Sequence, residues 1–206
     1  MDEERFPRAA AYLARLPDGV RSYPACQVKA SVLREVLSSR LLTDEDVRAL
    51  PEPMARLVLD PPPVSTWMPE VIAVAVMNAI RDRAFPAGSG GLQKYRAWTY
   101  DRNRRLLAKP HYRALFLLLS PEWLLRGSER RWGMFRRGSS AQLTRIDAGD
   151  LQLRTSYPPY LHDETMAIGL AAAFQAIIEL AGGHDAVVDV REVGETSTEF
   201  SLRYRS

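Results

Sequence analysis

A chain of 206 residues with 46% hydrophobic and 26% charged side chains has an ordinary globular composition, which excludes a disordered or collagen-like protein. A single domain of this size buries about 70% of its unfolded surface and so needs no disulfide or metal staples. The 28 basic and 25 acidic residues leave a net charge of +3, too slight by itself to point to a polyanionic partner.

Residues 1–27 read as an N-terminal extension with a short helix over 9–16, stopped by the turn Pro17-Asp18-Gly19. A single domain is expected over 28–206, helical over 28–140 and sheet-forming over 141–206. Val28, Val32, Leu33, Val36 and Leu37 mark its first amphipathic helix. Thr43 followed by Asp44, Glu45 and Asp46 is a helix start, with a hydroxyl cap and acids in the first turn. Pro51 and Pro53 interrupt that run, and Met54, Leu57 and Val58 carry a further short helix. Asp60-Pro61-Pro62-Pro63 is a stiff connector. Pro69 and Glu70 then open a helix, continuing through Ile80, that is apolar on nearly all sides and hence central. A Gly- and Pro-rich loop covers 85–91. Tyr95, Trp98, Thr99, Arg102 and Leu106 share one side of the next helix, whose other side is arginine-rich. Pro110 starts another, with Leu115, Phe116 and Leu119 inward. Ser120-Pro121-Glu122 starts one carrying Trp123, Leu124, Trp132 and Phe135, with an interruption allowed at Gly127.

Beyond Gly138-Ser139-Ser140 the period changes. Residues 143–146 and 151–155 form a hairpin around Asp147-Ala148-Gly149-Asp150. In 163–181, Met166, Leu170, Ala173, Phe174, Ile177 and Leu180 follow helical spacing. Gly169 and Ala173 allow close approach to a sheet, and Gly182-Gly183 close the helix. Residues 187–193 and 198–204 form a second hairpin around Gly194; in its second strand Thr198, Phe200, Leu202 and Tyr204 alternate with polar residues. The expected class is α+β: a multi-helix layer, a hairpin, a packed helix and a second hairpin, the strands forming one small antiparallel sheet.

Four motifs carry a resemblance: Val28-Lys29-Ala30-Ser31-Val32-Leu33, Ser65-Thr66-Trp67-Met68-Pro69-Glu70, Leu119-Ser120-Pro121-Glu122-Trp123-Leu124-Leu125-Arg126-Gly127 and Phe200-Ser201-Leu202-Arg203-Tyr204. In these the chain resembles a paralogous domain-of-unknown-function family expanded in myxobacteria. That layout is in turn similar to the ligand-binding fold of haem nitric-oxide sensors, vinyl-reductase-type sensors and vesicle-tethering subunits. The resemblance implies a pocket between helical layer and sheet.

Site chemistry is sparse. The haem sensors carry a proximal histidine and a Tyr-x-Ser-x-Arg motif for the propionates; His111 lies on an expected helix, but the motif is absent. Cys26, His111, His162 and His184 lack the spacing of metal ligands, and His162-Asp163-Glu164 reads as helix capping. Gly88-Ser89-Gly90-Gly91 follows a helix, whereas a nucleophile elbow joins a strand to a helix. No cofactor and no metal are therefore expected. Arg126, Arg130 and Arg137 fall on one helix face, with Trp132 elsewhere. This reads as one exposed basic stripe, disfavoured as a nucleic-acid surface because the total charge is balanced. Trp98, Tyr112, Phe116 and Phe174 are the candidate lining of an apolar pocket. The expectation is a non-enzymatic sensory or interaction domain binding a small apolar or aromatic ligand. The alternative is a pocketless scaffold for a protein partner or a second copy. The opening lacks a secretory pattern, and the longest apolar run, 71–79, is too short to span a bilayer; both point to the cytoplasm.

Overall fold

The structure, a computed structural model, describes residues 1–88, 90–110, 112, 120–147 and 150–205. The first half comprises α1 (Pro7–Ala14), a 3-10 turn (Gly19–Arg21), β1 (Gln27–Lys29), α2 (Ala30–Leu37), α3 (Asp44–Arg48), α4 (Glu52–Leu59), β2 (Trp67–Pro69), α5 (Glu70–Ala84) and α6 (Gly91–Leu107). The second half comprises α7 (Pro121–Arg126), α8 (Ser128–Trp132), β3 (Arg136–Arg137), β4 (Ser140–Asp147), β5 (Asp150–Ser156), α9 (Glu164–Leu180), β6 (His184–Val193) and β7 (Ser197–Arg205). The class is α+β. Leu115, Phe116 and Leu119, and the turn residues Ala148 and Gly149, lie outside the described residues.

Helix α5 is the hub. Its sequence has no polar face, and from Val71 to Ile80 every residue but Ile72 is buried. Against it packs α1, whose Phe6, Ala9 and Tyr12 have no exposed surface. The start of α1 lacks a side-chain cap of its own. Asp82 of α5 supplies one, accepting from the Arg8 and Ala9 backbone N–H groups at 3.0 and 3.2 Å. Phe6, Ala9, Tyr12 and Leu16 of the N-terminal stretch thus belong to the core. The Thr43 capping box forms as expected, and buried Asp46 also accepts from Arg5 and Arg83, each at 2.8 Å. Burial alone would raise the Asp46 pKa; the bonds from Thr43 and Arg5, with the Arg83 charge, outweigh it and bring the pKa to about 2. The proline connector is tied down by Arg34, whose guanidinium donates to the Pro61 and Pro62 carbonyls at 2.6 and 3.1 Å.

The strands form two sheets rather than the single one expected. β1 pairs antiparallel with β2 and β3, order β2-β1-β3, and hands the chain straight into α2, as β2 does into α5. Val28, expected in a helix, is the centre of this small sheet. The second sheet has order β4-β5-β7-β6, all antiparallel. β5 and β7 pair in unbroken register from Leu151 to Ser156, whereas the outer pairings are interrupted between Leu143 and Arg145, His184 and Val187, and Val190 and Glu192.

Helix α9 lies between this sheet and the helical layer. Asp163 caps it, accepting from the Met166 N–H at 3.0 Å. Phe174 meets Phe200 of β7 edge-to-face with ring centroids 5.2 Å apart. The neighbour beside Gly169 is Tyr95 of α6, not the sheet, and a methyl group there would sit 3.8 Å from the tyrosine oxygen, an ordinary contact.

Candidate functional site

A cavity of about 140 Å³ opens where α2, α5, α6 and α9 converge. Its walls are mostly aliphatic because each of these helices turns its apolar stripe inward. Val32 and Val36 come from α2, Val74 and Met77 from α5, and Leu106 and Leu107 from α6. Helix α9 contributes Met166, Gly169, Leu170, Ala173, Phe174 and Ile177, at the spacing of one helical face. Val28, Trp132 and Phe135 complete the apolar wall.

Three charged side chains interrupt this lining: Glu70, Arg102 and Arg136. Glu70 and Arg136 form a buried ion pair, and His162 Nε2 lies 2.9 Å from the same Glu70 oxygen. Burial, then the Arg136 charge, push the His162 pKa well below its usual value. The imidazole is therefore neutral and donates to Glu70 through Nε2–H, leaving His162 Nδ1 and Glu70 Oε2 without hydrogen-bond partners among the described residues. Burial brings the Arg136 pKa down to about 9.

Arg102 is 5% exposed and differs from Arg136 in its company. Its Nη1 lies 3.7 Å from the Met77 sulfur, and its guanidinium carbon sits 5.4 Å from the centre of the Trp98 ring. Burial lowers its pKa to about 10, so it remains charged at neutral pH.

Of the aromatic side chains expected at a pocket, Phe174 lines the cavity and Phe116 lies outside the described residues. Trp98 does not line it: it packs against Phe85 and Tyr95, at 5.4 and 5.9 Å, and backs the Arg102 guanidinium. Tyr112 is also displaced from the wall. Its hydroxyl donates to Ser31 at 3.1 Å and its ring lies 5.5 Å from Phe135. Arg126, Arg130 and Arg137 do not form one stripe, because Gly127 ends α7, Gly133 ends α8 and Arg137 is on β3. Arg126 pairs with Glu122 at 2.9 Å, and Arg137 stacks 4.0 Å from the Trp67 ring centre.

Sequence reasoning passed over Glu70 and Arg136 as site residues, since isolated charges 66 positions apart give no spacing signal. Arg102 did leave a trace, as the one arginine on the inward side of its helix. Ser89 and His111 lie outside the described residues; Gly90 serves as the N-cap of α6. Among the described residues there is no cluster of three or more metal-ligating His, Cys, Asp or Glu. No described helix is long and apolar enough to cross a membrane.

No protein-family model matches the chain, and no curated protein matches it in sequence. Solved structures do match. One, from work on haem distortion in the H-NOX family, superposes with a TM-score of 0.59 over 86% of this chain and 95% of its own, at 6% identity. The Fe(II) unliganded H-NOX protein from K. algicida gives 0.57 over 86% and 97%, at 10% identity. An oxygen-binding H-NOX domain related to soluble guanylate cyclases gives 0.55 over 86% and 91%, at 7% identity. The shared property is the fold.

Proposed function

We propose that this chain is a non-enzymatic sensory domain that takes up a small apolar or aromatic molecule among its helices, where α2, α5, α6 and α9 converge. The observation that carries this reading is the cavity of about 140 Å³ with an aliphatic wall. An apolar cavity of ~150 Å³ stays dry and admits benzene, so one ring or a short branched chain is the matching size. The H-NOX likeness adds support, because those proteins bind haem and gases in the same fold.

Haem itself does not fit the described residues. The cavity is on the scale of one ring rather than a macrocycle, and its described wall holds no histidine, cysteine or tyrosine. Arg136 is committed to Glu70, and the residues two and four positions before it are Met134 and Trp132, without the hydroxyls of a Tyr-x-Ser-x-Arg motif. His111 lies outside the described residues, which makes the spectrum the deciding measurement. Protein purified from its own host should retain a small molecule in native mass spectrometry. It should show no Soret band, before or after haem is added. Stoichiometric haem uptake abolished by His111→Ala would overturn the proposal.

A further inference from the structure

The two buried arginines of the cavity wall are treated differently by the fold. Arg136 has the Glu70 carboxylate. Arg102 has no carboxylate within ion-pairing distance among the described residues; its neighbours are a thioether sulfur and an indole face. Glu35, an acid whose charge it feels, is bonded to Lys109 at 2.6 Å and lies 3.7 Å from Arg105. A buried cation without a paired anion is costly, and contact with a ring face offsets only part of that. Among the described residues the cavity thus combines an aliphatic wall with a positive charge that no carboxylate pairs.

We infer that the ligand is a small monocarboxylic acid with an apolar body, its carboxylate paired with Arg102; this rests on the cavity being a ligand site. The planar guanidinium fork matches a carboxylate through two parallel bonds. A dianion such as phosphate would bring a second charge with no further free cation at the described wall to meet it. The apolar body takes the place that the aliphatic side chains leave open, at about the size of a single ring.

The test is isothermal titration of the full chain with benzoate and 3-methylbutanoate, set against the neutral benzyl alcohol and 3-methylbutanol. The acids should bind about tenfold to a hundredfold tighter than the matching alcohols, the range a hydrogen-bonded charge supplies. Arg102→Met should erase that preference while keeping the alcohols, and Ala173→Phe, which fills the cavity, should abolish binding of all four. If the alcohols bind as tightly as the acids, or if folded Arg102→Met keeps the preference, the carboxylate inference falls and the ligand site stands. If none of the four binds, both fall. Should Arg102→Met fail to fold, the acid-to-alcohol ratio in the unmodified protein decides the matter.

Discussion

Replacing Arg136 by methionine tests the buried ion pair directly. The substitution keeps most of the apolar stem and removes only the charge. Glu70 is wholly buried and is left with His162, a neutral imidazole, as its remaining partner. Breaking a buried pair from one side costs about 3–5 kcal/mol, because a charge stays behind without compensation. For a chain of this length each kcal/mol moves the melting temperature by about 2–4 °C, so the expected loss is about 6–20 °C. Removing the stranded charge as well should restore much of it, since an apolar replacement of the whole pair is often neutral. The Glu70→Met/Arg136→Met double variant should therefore be more stable than Arg136→Met alone. The assay is urea unfolding followed by circular dichroism, comparing midpoints at an unchanged slope. A single variant that melts with the unmodified protein, or a double variant that loses the sum of both singles, would refute the reasoning.

Acid should destabilise the fold through His162. Its folded pKa is depressed while the unfolded chain protonates near 6.5, so below that pH the unfolded state binds a proton the native state refuses. The contribution is complete above about pH 6.5 and falls by up to ~1.4 kcal/mol per pH unit beneath it; melting curves of His162→Gln should show a flatter slope between pH 6.5 and 5. A glycine pair gives opposite signs. Gly169→Ala should raise stability by about 0.5–1 kcal/mol, as a helical alanine with room for its methyl. Gly138→Ala should lower it by about 1–3 kcal/mol, since φ is +75° and the new Cβ would lie 2.7 Å from the Cys26 sulfur. Thermal unfolding reads both. Fluorescence anisotropy at about 150 mM salt should detect no submicromolar nucleic-acid binding, with no change in the Arg126, Arg130 and Arg137 triple alanine variant.

What could be read from the sequence was whatever had enough length to show a period. The α9 stripe from Met166 to Ile177 repeats over three turns, and β7 alternates over nine residues. The sheet of β1, β2 and β3 has strands of two or three residues, too short to alternate visibly, and its partners come from three distant segments. α1 went unrecognised as core because the group that caps it, Asp82, lies more than seventy positions away. The arginine stripe needs helical spacing from Arg126 to Arg137, which the breaks at Gly127 and Gly133 and the strand at Arg137 remove. The aromatic positions suggest a pocket, yet the cavity is mainly aliphatic, because Trp98 and Tyr112 brace the wall residues Arg102 and Phe135 from behind. Arg102 is legible as an exception to a pattern, and its meaning depends on its having no ion-pairing carboxylate among the described residues, which only three dimensions show.

The interruptions in the four-stranded sheet bear on how these molecules behave toward one another. They fall only in the pairings of β4 and β6, the two outer strands, while the β5–β7 centre is regular. An outer strand with straight, unbroken backbone would offer its free N–H and C=O groups as a template for a strand from another molecule. Here β6 passes through the left-handed region at Asp185 and carries Asp189, Arg191 and Glu192 along its length. A strand arriving from outside would lose register at the bulges and meet charge where it needs apolar contact. The distortions and charges of β6 thus disfavour edge-to-edge pairing along that rim of the sheet.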